Sequence, residues 1–272
     1  LFFSSFLFSQ TNNWWVIFND KSCNNSIKLT DRAIEKRLKQ KIDFDIYDFP
    51  VCDNYIDSLK KHDIIIRNTS RWLNAVSITV DSDKILEKIS NYSFVKKIQP
   101  VAIFIKQSTP TLSRNLSKEN IYRSENSLQY GGSFNQINML GGVELHNEGF
   151  LGNDILIAVF DAGFTGVETL PIFDNLWDNN LILDTYDFVD NDDNVFSGST
   201  HGTMVLSTMG GYMPDSLIGT APLANYMLFR TEDSGSETLV EEDNWAAAAE
   251  YADSLGVDII NSSLGYTILY DD

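Results

Sequence analysis

Six consecutive apolar residues, Ile155-Leu156-Ile157-Ala158-Val159-Phe160, run into an acid, Asp161. A strand with one wet face alternates polar and apolar residues. An apolar run without alternation fits a strand covered on both faces, as in a parallel sheet. Further along, Ser199-Thr200-His201-Gly202-Thr203-Met204-Val205 passes from a polar loop into a helical apolar pattern, with His201 at the junction. An acid at the end of a buried strand and a histidine at the start of a buried helix can meet at one edge of such a sheet. There Asp161 would fix the tautomer of His201 and stabilise its protonated form, and His201 would act as a general base. The pair lacks a nucleophile.

The segments around this pair alternate between strand and helix patterns. Helical spacing is predicted over Gln136 to Glu148, with Ile137, Leu140, Val143 and Leu145 on one face. Further strands are predicted over Leu181 to Val189, Ala224 to Phe229 and Val257 to Asn261. Helices are predicted from His201 to Gly210 and from Glu237 to Leu255, the second closed by Gly256 as a left-handed cap. This alternation predicts an α/β fold with a doubly wound parallel sheet. The site of such a sheet lies beyond the carboxyl ends of its strands, where Asp161 falls.

The chain ahead of this unit reads differently. A strand is predicted at Trp14 to Phe18 and a helix at Asp31 to about Gln40, capped by Thr30. A second helix follows at Asp53 to Lys61. Strands at Asp63 to Arg67 and Leu73 to Val80, a helix at Asp83 to Asn91 and a strand at Phe94 to Ile98 complete the order. Strand, helix, strand, strand, helix, strand is a small α+β ferredoxin-like unit. Residues 107–130 are rich in Ser and Asn and read as an exposed linker.

The charge of −18 argues against nucleic acid as a partner. It is also unevenly placed. From Trp14 to Lys106 there are 16 Lys/Arg against 12 Asp/Glu, and from Ser124 to Asp272 one, Arg230, against 25. A basic front piece and an acidic rear piece are expected to attract each other; the alternative is that the charge serves solubility alone. Two cysteines, Cys23 and Cys52, have no metal-ligand spacing. They pair in an oxidising compartment or stay as two thiols. Residues 1–10, LFFSSFLFSQ, are apolar and read as the remnant of a signal peptide, too short to span a membrane. No membrane contact is expected after its removal.

The chain resembles the subtilisin-like serine peptidases (the subtilase, or S8, family). ILIAVFDAGF is similar to the family's Asp motif and STHGTMV to its His motif. Ile218-Gly219-Thr220-Ala221-Pro222 resembles the segment after the His helix, and Asp258 to Gly265 its substrate-binding strand. The front unit resembles the family's inhibitor-type (I9-like) propeptide through Ser70 to Ser77 and Val95 to Pro100. The resemblance implies a secreted serine endopeptidase precursor with an Asp-His-Ser triad in which Asp161 and His201 are catalytic. Ser263, Leu264 and Gly265 would pair with an extended peptide or protein substrate, and the propeptide would bind its own peptidase domain. The implied domains are a signal remnant (1–10), propeptide (14–106), linker (107–130) and the N-terminal half of the peptidase domain (131–272).

Two features depart from the family pattern. Met204 replaces a second histidine and is expected to pack in its helix. The Gly-Thr-Ser nucleophile motif and the oxyanion Asn are absent, so the expectation is a C-terminally truncated fragment without activity of its own. No cofactor for catalysis is implied. Structural calcium is a family habit, and Asp184, Asp187, Asp190, Asp192 and Asp193 cluster, but without EF-hand spacing; a solvated acidic loop is the plainer expectation. His62 and His146 read as surface or packing residues. The rival function is an inactive homologue acting as a peptidase inhibitor or binding module. A flavodoxin-like phosphate site is disfavoured, since Asp161 to Gly166 has too few glycines and an acid where phosphate would sit.

Overall fold

The computed structural model describes residues 12–23, 26–101, 103–105, 128–233 and 239–263. The expected signal remnant lies outside them, as do Leu264, Gly265 and nearly all of the expected linker. The chain divides into two compact units. One takes residues 1–103 with 241–254, the other 104–240 with 255–272.

The front of the chain forms β1 (Asn13–Phe18), α1 (Asp31–Gln40), α2 (Asp53–Leu59), β2 (Ile65–Ser70), β3 (Ala75–Thr79), α3 (Asp83–Ser90), β4 (Val95–Pro100) and the short β5 (Ile103–Ile105). An antiparallel sheet runs in the order β2-β3-β1-β4, the order of a ferredoxin-like unit. Its core collects Val16, Phe18, Leu59, Val76, Ile78 and Ile89. The second strand starts later than its apolar run predicts, at Ile65. The amides of His62 and Ile64 turn back onto Leu59 and His62, and pairing with β3 fixes the register. Helix α1 begins as expected, with Thr30 Oγ accepting from the Ala33 N–H at 3.3 Å. It ends at Lys41, which takes a left-handed conformation.

Helix α1 is additional to the ferredoxin-like plan. It belongs to an arm between β1 and α2, and a Cys23–Cys52 disulfide closes that arm. Lys21 Nζ donates to the carbonyls of Ile46, Phe49 and Arg71, tying the arm's two ends to the strand turn.

The rear of the chain contains α4 (Phe134–Asn138), α5 (Gly142–Asn147), β6 (Leu156–Asp161), α6 (Asp174–Asp178), β7 (Ile182–Asp187), α7 (His201–Gly210), β8 (Tyr212–Met213), β9 (Leu217–Ile218), β10 (Asn225–Arg230), β11 (Leu239–Glu241), α8 (Glu242–Leu255) and β12 (Ile259–Ser262). A parallel sheet runs β12-β6-β10-β7. Every residue of β6 is buried, as its unbroken apolar run requires. Ile157 and Val159 pack with Tyr226, Leu228 and Leu206 of α7 on one face.

Two helix expectations are corrected. The predicted helix over 136–148 is two short helices, because Gly141 turns left-handed (φ 70°) between them. Ile137 and Val143 are buried, but Leu140 and Leu145 are exposed. The predicted helix from Glu237 begins only at Glu242, since Leu239–Glu241 is extended. Glu242 and Asp243 supply negative charge at the helix's positive end. Gly256 closes the helix in the left-handed region, as predicted.

The first unit also holds most of α8, which β2, β3 and α1 grip with polar groups. Arg67 Nε reaches the buried Asp243 carboxylate at 2.9 Å, and Ser77 Oγ donates to the same oxygen at 2.6 Å. Glu250 accepts from Ser70 Oγ (2.5 Å) and from the backbone N–H groups of Arg71 (2.7 Å) and Trp72 (3.3 Å). Asp253 receives both Arg71 (2.5 Å) and Arg37 (2.9 Å). The Thr30 N–H donates to the carbonyl of Ser254 at 2.9 Å, satisfying a group at the helix end.

Candidate active site

Asp161 is the last residue of β6, and Arg230 is its register partner on β10. The chain leaves β6 on one side for β7 and β10, then returns across it to β12. The carboxyl ends of β6 and β12 therefore border a switch point, the place where open parallel sheets form sites.

Helix α7 begins at His201 and reaches this edge because two glycines clear its path. Gly163 has φ 142°, and a Cβ there would lie 2.3 Å from the carbonyl oxygen of Ser197. A Cβ on Gly202 would lie 2.5 Å from the carbonyl oxygen of Gly163. Without those atoms the Gly202 N–H donates to the Gly163 carbonyl at 3.1 Å, and Thr203 Oγ1 donates to the Thr165 carbonyl at 2.8 Å. The first turn of the helix is thus pinned against the loop after β6.

The result is one short contact. His201 Nδ1 lies 2.9 Å from each carboxylate oxygen of Asp161. Asp161 is fully buried, and its Oδ1 also accepts from the Ala162 N–H at 2.8 Å. The His201 side chain is 51% exposed. A buried carboxylate that accepts from Nδ1–H leaves Nε2 as the lone-pair nitrogen. Among the described residues no serine hydroxyl is hydrogen-bonded to this ring.

Ser262 of β12 pairs in register with Phe160 of β6, one position before Asp161. Ser263 follows β12, exposed, with its Oγ donating to Asn261 Oδ1 at 3.0 Å. Met204 does not pack as expected; it is 58% exposed, one position off the buried face that Thr203 and Leu206 share. His146 is a packing residue, stacked on Tyr130 with Nδ1 2.8 Å from the Tyr130 hydroxyl and Nε2 2.9 Å from the Thr220 carbonyl. His62 Nε2 lies 3.0 Å from the Tyr92 hydroxyl.

The acidic cluster has an internal cation that sequence reasoning missed. Arg230 pairs with Asp187 at 2.6 Å and Asp190 at 2.5 Å. Burial works against its charge, but the two carboxylates outweigh it and hold the guanidinium above its usual range. Among the described residues no group of three His, Cys, Asp or Glu is arranged to hold a metal ion. Asp187 and Asp190 are taken up by the guanidinium. The available signal was that Arg230 is the single basic residue in a long acidic stretch.

Residues 13–119 match the Peptidase S8 propeptide domain, Bacteroidota, and residues 152–269 match the Subtilase family. The chain is similar to a subtilisin-like peptidase preceded by its propeptide. Subtilisin E of Bacillus subtilis (strain 168) is 25% identical over 221 residues, covering 77% of this chain and 48% of that protein. Subtilisin NAT of Bacillus subtilis subsp. natto gives the same figures. Among solved structures, fervidolysin from Fervidobacterium pennivorans, a keratinolytic enzyme related to subtilisin, aligns with a TM-score of 0.53 at 17% identity. That alignment covers 91% of this chain and 35% of the other. The Epidermin leader peptide processing serine protease (EpiP) S393A mutant from Staphylococcus aureus aligns with a TM-score of 0.55 at 16% identity, covering 93% and 50%. These structures show the subtilase fold. The chain spans about half the length of the curated relatives it matches.

Proposed function

We propose that this chain is the propeptide and the Asp- and His-bearing part of a secreted serine endopeptidase. The observation that carries the reading is the half-exposed His201 donating through Nδ1 to the buried Asp161. In the proposed reaction a serine attacks the scissile carbonyl, and His201 Nε2 takes its proton and passes it to the leaving amine. Asp161 orients the ring and stabilises the imidazolium. The strand end at Ser263, Leu264 and Gly265 would add to an extended protein substrate as a neighbouring strand. Residues 131–272 would be the peptidase part, 14–106 the propeptide and 107–130 the segment where the two are separated.

Export agrees with the Cys23–Cys52 disulfide, since such bonds persist in oxidising compartments. No helix among the described residues is long and apolar enough to cross a membrane. A second reading, a peptidase inhibitor or binding module, draws on the grip of the front strands on α8, through which the propeptide would dock on the peptidase domain.

The 272 residues contain no Gly-Thr-Ser, so on this reading they do not hydrolyse peptides by themselves. A fluorophosphonate probe tests both parts. Residues 1–272 should stay unlabelled, and a longer reading frame that supplies the serine should be labelled. In that longer protein Asp161→Asn and His201→Ala should each lower kcat by on the order of 10⁴-fold or more, the scale known for subtilisin itself. Labelling of residues 1–272, or full activity of the His201 variant, would refute the proposal.

A further inference from the structure

Arg230 is 93% buried by its 7% exposure, in a rear segment with no other lysine or arginine. Burying a cation is costly unless carboxylates and hydrogen bonds compensate. The loop from Phe188 to Thr200, which connects β7 to α7 and delivers His201, accounts for the burial.

Arg230 holds the start of that loop in three ways. Its carbonyl accepts from the Phe188 N–H at 2.9 Å. Its Nη1 donates to Asp187 Oδ2 at 2.6 Å and to Asp190 Oδ2 at 2.5 Å. Asp187 Oδ1 in turn accepts from the N–H groups of Val189 (2.8 Å) and Asp190 (3.0 Å), which closes the turn.

Arg230 also meets the far end of the loop. At Gly198, φ is 78°, and a Cβ there would stand 3.4 Å from Arg230 Nε and 3.0 Å from the Ala162 carbonyl oxygen. The guanidinium therefore packs against the backbone three residues before His201. Its Nε is buried without a hydrogen-bond partner, so it meets this backbone as a packed edge. Directly after the contact, the Ser199 N–H donates to the Ala162 carbonyl at 3.3 Å, and Ser199 Oγ accepts from the His201 N–H at 3.0 Å.

We propose that Arg230 is a positioning residue that clamps both ends of the Phe188–Thr200 loop and so sets His201 over Asp161. The proposal rests on the reading of Asp161 and His201 as a catalytic pair. A fork-shaped, permanently charged group suits the task. Its Nη1 meets both acids while Nε and the guanidinium carbon face Gly198, and a lysine could meet the acids but has no flat edge to cover the glycine.

The test uses the 272-residue chain and proton NMR, where three histidines make assignment simple. The unsubstituted chain should show a slowly exchanging imidazole Nδ1–H resonance from His201, and slow amide exchange at Ser199 and Gly202. Arg230→Met should abolish or broaden that resonance. It should also speed exchange at those two amides at least tenfold while Val159 and Leu228 stay protected. Arg230→Lys should restore part of the signal. Ile137→Ala, a cut in the separate cluster of Tyr130, Val143 and Ile218, should lower stability without moving the resonance. A folded Arg230→Met that loses stability but keeps the His201 signal would overturn the proposal. If that variant does not fold, Asp190→Asn takes its place, and an unchanged signal there would overturn it as well. Absence of the resonance from the unsubstituted chain would count against the Asp161–His201 pair itself, and the clamp would fall with it.

Discussion

Gly202 lies so close to Asp161 that a Cβ at position 202 would stand 2.9 Å from the Asp161 Cβ. The residue after the histidine is thus packed against the acid that the histidine's Nδ1 meets. Gly202→Ala gains helix propensity, about 1 kcal/mol. It must nevertheless push α7 away from the loop after β6. If the proposed function holds and a serine is supplied by a longer frame, the expected outcome is a loss on the order of 10²-fold in hydrolysis, because a displacement near 1 Å has that effect on an aligned pair. Progress curves with a peptide substrate check it. Activity at the unsubstituted level would show that the helix tolerates the displacement.

The Cys23–Cys52 bond closes a 29-residue separation that contains all of α1. The chain-entropy account of cross-links puts its contribution at about 3–4 kcal/mol. Urea midpoints with and without a thiol reductant measure it, and Cys23→Ser should reproduce the reduced value. Equal midpoints would mean that the arm is held by Lys21 and the Arg37 ion pairs alone.

Two carboxylates on α8 give opposite pH responses. Burial pushes Glu250 above its ordinary value of 4.5, and the donors from Ser70, Arg71 and Trp72 only partly reverse this. Its contribution is complete below the unfolded value and is lost as pH rises through the raised one. Burial also opposes the charge of Asp253, but Arg71 and Arg37 outweigh it and hold the carboxyl below its ordinary 3.8. That contribution is present above the unfolded value and is lost as pH falls through the lowered one. Thermal midpoints should therefore rise on acidification from neutrality toward pH ~4 and fall below it. Glu250→Gln should remove the rise and Asp253→Asn should soften the fall. A curve that both variants share with the parent would dispose of the assignment.

Arg71 makes several of the contacts that hold α8. Its Nη2 meets Asp253 and the Glu250 carbonyl, its Nη1 donates to the Tyr47 carbonyl, and its guanidinium lies over the Trp72 ring. Arg71→Ala leaves buried acids short of a partner, so a loss of about 3 kcal/mol is expected. Arg71→Lys should recover less than half, since it cannot fork. Denaturant unfolding gives both numbers, and a loss under ~1 kcal/mol for the alanine variant would place the grip elsewhere.

Much of the architecture was legible because its causes are local. The unbroken run Leu156 to Phe160 demanded a strand covered on both faces, and β6 is buried throughout. Thr30 and Gly256 marked helix ends through chemistry that acts within a few residues. The break at Gly141 was missed because Ile137, Leu140, Val143 and Leu145 keep a helical period across it, and period alone is blind to one left-handed residue. The arm that carries α1 was readable as a helix but not as an insertion held to Asp253, because that contact joins residues 216 positions apart.

Asp161 and His201 could be proposed from the chain itself, since a strand-end acid and a helix-start histidine each leave a short-range signature. That they stand 2.9 Å apart depended on sheet register and on two glycines lacking a Cβ. The same holds for Arg230, whose neighbours Asp187 and Asp190 sit some forty positions earlier. Whether those acids face a metal, water or a guanidinium is set by how β7 and β10 lie side by side. Local sequence determines where strands and helices start and stop, because capping and periodicity act over a few residues. Which charges meet is decided only when the sheet closes, because pairing energies act at hydrogen-bond distance.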